Sequence, residues 1–234
     1  MKAFLMAAGL GTRLRPITNT IPKCMVPIQG KPLLAWWMDL FEKHGVSDVL
    51  INTHYLPNSV REFICSYNKN AVHHTQLHEF YEPVLLGSAG TLRENQDFVK
   101  GEESFFICYA DNLTNTDLSE LNAFHARVKP VLTMGLFHTN NPTGCGIATV
   151  NEDHIITEFI EKPQYPKSNL ANAGIYVASQ QIFSFIPENK EEADIGKDVL
   201  PLLVGKMAGL EIKEYILDIG TPNNYNKAQE EWKK

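Results

Sequence analysis

Strand-like apolar runs alternate with amphipathic helical patterns through the first half of the chain, and that alternation restricts the fold more than any other feature. Lys2 to Ala7 reads as a buried strand. Pro32 to His44 places Leu33, Leu34, Trp36, Trp37, Leu40 and Phe41 at helical spacing and stops at Gly45. Val49 to Asn52 predicts a strand, Pro57 to Tyr67 a helix, Gln76 to His78 a short strand, and Leu86 to Thr91 a glycine-bearing loop entering a helix. Ser104 to Tyr109 and Leu118 to Arg127 repeat the pair. A β-α-β-α order of this kind predicts an α/β fold, a single doubly wound and mostly parallel sheet with helices on both faces. The second half departs from it. Val131 to Phe137, Gly146 to Val150, Ile155 to Glu161 and Ala173 to Ala178 read as strands joined by short turns such as Asn151-Glu152-Asp153. Helices are expected at Gln180 to Phe185 and Lys197 to Lys206, a strand at Glu211 to Leu217, and a last helix from Thr221. The expectation is one domain over residues 1–234, with a small antiparallel subregion and no appended C-terminal repeat domain.

Apolar residues make up 44% of the 234, enough for a sizeable core. A formal charge of −6 disfavours a nucleic-acid or anionic-membrane partner. No apolar stretch approaches the ~20 residues of a membrane span. The apolar start stops at Gly9, short of the longer apolar run of a secretory leader, and turns basic after it. Cys24, Cys65, Cys108 and Cys145 form no CxxC pair, so reduced thiols and a cytoplasmic setting are expected.

The stretch Ala7-Ala8-Gly9-Leu10-Gly11-Thr12-Arg13-Leu14 directly follows the first strand. Glycines there let backbone amides close on a phosphate. A dinucleotide fingerprint needs a small residue where Leu14 stands and an acid where the second strand ends in Asn52-Thr53-His54. A P-loop needs Gly-Lys-Ser/Thr, which is missing. What remains is a glycine turn bearing Arg13, with Lys23 ten residues on. A forked and a point-like cation on one loop suit a triphosphate.

The run Leu5 to Thr18 followed by Pro22-Lys23 resembles the signature of the sugar-phosphate nucleotidyltransferases. The resemblance continues through Leu86-Gly87-Ser88-Ala89-Gly90-Thr91, Tyr109-Ala110-Asp111-Asn112, Phe159-Ile160-Glu161-Lys162-Pro163, Asn172-Ala173-Gly174-Ile175-Tyr176 and Leu217-Asp218-Ile219-Gly220-Thr221-Pro222. Ala110, Ser88 and Cys24 depart from the usual glycine, threonine and proline. The resemblance implies a Rossmann-like nucleotidyltransferase fold and transfer of a nucleoside monophosphate from an NTP to a sugar 1-phosphate. It assigns nucleotide binding to Ala7, Ala8, Gly9, Gly11, Thr12, Arg13, Lys23, Gly87, Ser88 and Gly90. Sugar-phosphate binding falls to Gly146, Glu161, Lys162 and Asn172, and a Mg²⁺ site to Asp111 and Asp218. Arg13, Lys23 and Lys162 are the implied catalytic cations.

The chemistry asks for two anions held in line, so positioning and charge neutralisation carry it without a protein nucleophile. Plainer roles exist for the same residues: Asp111 as a strand-end turn residue, Thr221 and Pro222 as a helix start, Asn172 as a polar strand residue. The Asn172 and Asp218 segments look closer to the guanylyltransferase branch, whereas Ala7-Ala8-Gly9 leans towards UTP, CTP or dTTP. The balance falls narrowly to a guanylyltransferase-like enzyme, while a uridylyl-, thymidylyl- or cytidylyltransferase stays open, as do a phospho-alcohol substrate and a non-catalytic subunit that senses nucleotide sugars. The base, the sugar and any homo-oligomer are not readable from the chain.

Overall fold

A computed structural model describes residues 1–232. The fold is α/β, with a mixed, mostly parallel sheet and two small two-stranded antiparallel sheets. The strands are β1 (Lys2–Met6), β2 (Pro27–Ile28), β3 (Lys31–Pro32), β4 (Asp48–Thr53), β5 (Gln76–Tyr81), β6 (Ser104–Tyr109), β7 (Asn112–Thr114), β8 (Leu132–His138), β9 (Gly146–Val150), β10 (Ile156–Glu161), β11 (Leu170–Ser179), β12 (Met207–Glu211) and β13 (Ile216–Asp218). The α-helices are α1 (Leu33–Lys43), α2 (Pro57–Lys69), α3 (Gly87–Glu94), α4 (Leu118–Val128) and α5 (Pro222–Glu231). Packing groups the chain into two compact units. Unit 1 holds Met1–Leu85, Cys108–Thr116 and Glu214–Lys234; unit 2 holds Leu86–Ile107 and Asp117–Lys213.

In unit 1, β1 pairs in parallel with β4, and β4 with β5. Ala3, Phe4 and Leu5 are fully buried, as a strand covered on both faces requires. Helix α1 turns Leu33, Leu34, Trp37, Met38, Leu40 and Phe41 inward at the expected period. Its Trp37 indole donates to the Asn112 carbonyl at 2.9 Å, tying the helix to β7. Pro57 begins α2 at the position where a missing N–H costs nothing.

Unit 2 carries the antiparallel part. β10 pairs with β9, and β11 with both β9 and β8, all antiparallel; β12 closes on β8 in parallel. The β9–β10 turn is held by the Asn151 side chain, which accepts from Asp153 N at 3.1 Å and Ile155 N at 2.8 Å. Asp117 caps α4 by accepting from Ser119 N and Glu120 N.

Two expectations are corrected. The helix expected at Lys197 to Lys206 is a π-turn at Ile195–Val199 followed by a 3₁₀ turn at Leu200–Leu203. Pro201 denies the backbone donor that a continuous helix would need. The single strand expected over Glu211 to Leu217 is two strands, β12 and β13, which belong to different units. Strand β7, for which the sequence pattern offers no strand, pairs with β13.

Candidate active site

Unit 1 assembles its charged residues from three distant stretches of sequence. β1 ends at Met6, and the loop that follows turns at Gly11, whose φ of 63° lies in the left-handed region. The buried Thr18 hydroxyl donates to the Gly11 carbonyl at 2.7 Å, fixing the turn from below. Ala7 N donates to Asn52 Oδ1 at 2.6 Å. Thr12, Arg13 and Leu14 form a 3₁₀ turn in which Leu14 anchors inward and Arg13 stays 66% exposed. A third 3₁₀ turn, opened by Pro22 after one at Ile17–Asn19, carries Lys23 into the protein, where its side chain is 10% exposed.

The two aspartates reach Lys23 through the β7–β13 ribbon. Its register sets Asp218 opposite Asn112, the residue after Asp111. Ile219 N donates to the Asp111 carbonyl at 3.0 Å and locks the pair of turns together. Lys23 Nζ then donates to Asp111 Oδ2 at 2.7 Å and to Asp218 Oδ1 at 2.9 Å. Arg13 Nη2 stands 3.6 Å from Asp218 Oδ2. Burial works against the Lys23 charge, but Asp111 and Asp218 more than offset it, and the ammonium's pKa is raised. Gly220 N donates to Asp218 Oδ1 at 2.7 Å. A Cβ at Gly220 would lie 2.8 Å from both Asp218 Oδ1 and Lys23 Nζ and 2.9 Å from Arg13 Nη2, so any larger residue would make the ends of these charged side chains shift. Thr221 caps α5 by accepting from Asn224 N, and Asn224 Nδ2 donates to the Asp218 carbonyl at 2.7 Å. No role for Gly220 follows from the pattern of the sequence; the crowding around it is visible only once the neighbours are placed.

Neighbouring Cys24 is fully shielded, and burial pushes its thiol up to about 12. It is no nucleophile. Among the described residues no group of three or more His, Cys, Asp and Glu side chains could hold a metal. Asp111 and Asp218 do fit a hard cation: both are carboxylates, both are partly open to solvent, and both lie within 3 Å of one nitrogen. Phosphate oxygens and water would complete such a shell, the kind Mg²⁺ keeps.

Unit 2 holds the remaining predicted residues, most of them in two places, the start of α3 and the end of β10. Gly87, Ser88 and Gly90 open α3, but their surroundings are bonded within the protein. Ala89 N and Gly90 N both donate to the Ala193 carbonyl, at 2.8 and 3.1 Å. Ser88 Oγ donates to Asp194 Oδ2 at 3.2 Å and accepts from Ile195 N at 2.9 Å. The second place is the end of β10. Glu161 is half-buried, and its carboxylate lies against Gly146, where a Cβ would sit 2.7 Å from Oε2 and 2.6 Å from Phe159 Cζ. Burial, reinforced by Asp194, raises the Glu161 pKa against the opposing pull of Lys162 and Lys197. Lys162 follows with a φ of 49°, held by Lys162 N donating to the Cys145 carbonyl at 3.1 Å. Its side chain is 61% exposed and its ammonium is 3.8 Å from Glu161 Oε1. Asn172 sits in a bulge of β11: Nδ2 donates to the Tyr176 hydroxyl at 2.6 Å, and Oδ1 accepts from Gly174 N at 2.9 Å.

The family described as Nucleotidyl transferase matches residues 2–234. The mannose-1-phosphate guanyltransferase of Schizosaccharomyces pombe is 29% identical, over 96% of this chain and 62% of its own length. The UTP–glucose-1-phosphate uridylyltransferase of Synechocystis sp. PCC 6803 is 30% identical over 87% of this chain and 55% of its own. The chain thus spans less than two thirds of the length of these relatives. Among solved structures, a Bacillus anthracis protein assigned as a glucose-1-phosphate thymidylyltransferase, in complex with sucrose, superposes with a TM-score of 0.87 at 25% identity. That match covers 98% of this chain and 94% of the other. HddC from Yersinia pseudotuberculosis, complexed with GMP-PN, shares the fold at 24% identity and a TM-score of 0.81, over 99% of both chains.

Proposed function

This chain belongs to the nucleotidyl transferase family, and from that premise we propose that it moves a nucleoside monophosphate from an NTP to a sugar 1-phosphate and releases pyrophosphate. The observation that carries the proposal is the bonding of Lys23 to Asp111 and Asp218 beside the glycine loop and Arg13. The sugar phosphate oxygen attacks the α-phosphorus, a new P–O bond forms, and the bond to the β-phosphate oxygen breaks. Lys23 neutralises the α-phosphate, and Arg13 the β- and γ-phosphates as they leave. Asp111 and Asp218 would hold Mg²⁺, whose charge offsets that of the phosphates. In unit 2, Lys162 receives the phosphate of the sugar 1-phosphate, while Glu161 and Asn172 serve its hydroxyls. Ala7, Ala8, Gly9, Gly11 and Thr12 follow the phosphate chain with their backbone, and Gly87, Ser88 and Gly90 border the nucleoside.

GTP is the preferred donor in this reading, and mannose 1-phosphate the first acceptor to try. Support comes from the guanyltransferase names of relatives at 27% to 29% identity. A panel of the four NTPs and dTTP against several sugar 1-phosphates, followed by pyrophosphate release, tests both levels. Release with GTP and mannose 1-phosphate above all other pairs is the expected result. Release with another pair overturns the base and sugar, and no release with any pair overturns the activity.

A further inference from the structure

Two buried polar side chains, Asn52 and Glu82, lead in series to the start of the glycine loop, and neither belongs to the cation cluster. Asn52 is the fifth residue of β4 and pairs in register with Met6, the last residue of β1. Its side chain is therefore at hand where the loop begins, and Oδ1 accepts from Ala7 N at 2.6 Å. On its other side, Asn52 Nδ2 donates to Glu82 Oε1 at 2.8 Å. Glu82 is 1% exposed and Asn52 4%. Glu82 N donates to the Thr53 carbonyl at 2.8 Å, and the ring Nδ1 of His54 donates to the Glu82 carbonyl at 2.7 Å, so the backbone that bears the carboxylate is fixed from two sides.

A carboxylate only accepts, so it dictates which end of the Asn52 amide faces it. With Nδ2 turned to Glu82, Oδ1 must face Ala7, and the Ala7 amide gains a fixed partner. A neutral residue at position 82 would leave Asn52 able to flip its NH₂ towards the Ala7 N–H, donor against donor. On charge alone, an acid buried under a loop that receives a triphosphate is unfavourable for the ligand. Its presence there needs a compensating geometric role.

We propose that Glu82 is a positioning residue for nucleotide binding, acting through Asn52 on the Ala7 amide to set the path of the glycine loop. The proposal rests on the reading that this loop receives the NTP. Glu82→Leu should raise the KM for NTP by about tenfold, the lower end for a lost hydrogen bond to a charged group. The KM for sugar 1-phosphate should stay unchanged. Loss of the buried negative charge alone predicts the opposite sign, a lower KM for NTP.

The decisive comparison is a swap. Asn52→Asp places two acids face to face and should impair NTP binding. Adding Glu82→Gln to it restores a donor between them, keeps the acceptor for Ala7 N and returns the net charge of the parent protein. Recovery of the parent KM for NTP in the double variant supports the proposal, even where Glu82→Leu does not fold. A double variant as impaired as Asn52→Asp, or a Glu82→Leu protein with unchanged or lower KM for NTP, overturns it. Equilibrium binding of GTP to the parent protein separates the two layers. Binding that ignores these variants sinks the Glu82 role alone, whereas a parent protein that binds no NTP sinks the loop reading and this role with it.

Discussion

The charged residues of unit 1 and those of unit 2 are arranged on opposite plans. In unit 1, Lys23 is buried and bonded to two acids, Arg13 leans on one of them, and a glycine leaves room for the ends of these side chains. In unit 2, Lys162 is mostly exposed, stands 3.8 Å from the nearest carboxylate oxygen, and is aimed by a left-handed backbone. The first plan spends folding energy beforehand, so little reorganisation remains when charge develops on a phosphate. The second leaves a cation that gains a partner only when a ligand brings one. A preorganised centre should govern turnover; a waiting cation should govern affinity.

Removing the centre of the unit 1 cluster should give the largest effect. Lys23→Ala leaves Asp111 and Asp218 facing each other without their shared cation, and takes a positive charge from the phosphates. Turnover should fall by roughly a hundredfold to a thousandfold in a pyrophosphate-release assay. A Lys23→Ala enzyme that keeps parent-like kcat would place the chemistry elsewhere.

Next comes Gly220→Ala, which adds one methyl group and removes no charge. Its Cβ would press on all three charged atoms of the cluster. A drop in kcat of roughly tenfold or more, with circular dichroism unchanged, is expected, because small misplacements cost rate steeply. Unaltered kcat would mean that the tight packing of these charges does not matter.

Lys162→Ala should be milder and of another kind. The KM for sugar 1-phosphate should rise by about tenfold while the KM for NTP holds, as fits one lost charge-assisted contact. If NTP affinity alone changed, the contrast between the two units would be drawn on the wrong substrates.

The smallest effect concerns Glu161. Its pKa is raised by burial, so between the unfolded value of 4.5 and the raised folded value the native state holds more proton than the unfolded one. Native stability should therefore fall slightly as pH rises through that window. Denaturant midpoints of the parent and of Glu161→Gln, compared across the window, should converge towards its acid end. Parallel pH curves would show that Glu161 titrates normally.

Much of this contrast was legible in the sequence, for identifiable reasons. Helices α1 and α2 announced themselves by apolar period and by Gly45 and Pro57 at their ends. The glycine loop announced Arg13 and Lys23 because both cations sit on one local stretch. Meeting points between distant strands were not legible from local pattern, and for Asp111 and Asp218 only the family resemblance implied one. Asp111 and Asp218 come together through β7–β13 pairing across more than a hundred residues, and no local pattern records a register of that length. The Ala193 carbonyl on the α3 amides escaped for the same reason, since Glu191 to Lys197 carries no periodicity. Glu82 escaped because a single acid after a strand ordinarily reads as a solvated strand end, and only burial reveals otherwise.

The central claim is that Asp111 and Asp218 act as one unit, with Lys23, on a metal-bound triphosphate. It is tested most directly by pyrophosphate release from the parent, Asp111→Asn, Asp218→Asn and the double variant, each with EDTA and then with Mg²⁺ restored. The account predicts that EDTA abolishes turnover and Mg²⁺ returns it in the parent. It also predicts that the double variant is little worse than either single one, as for groups that work together. Turnover that resists EDTA, or losses that multiply from single to double variant, would contradict it.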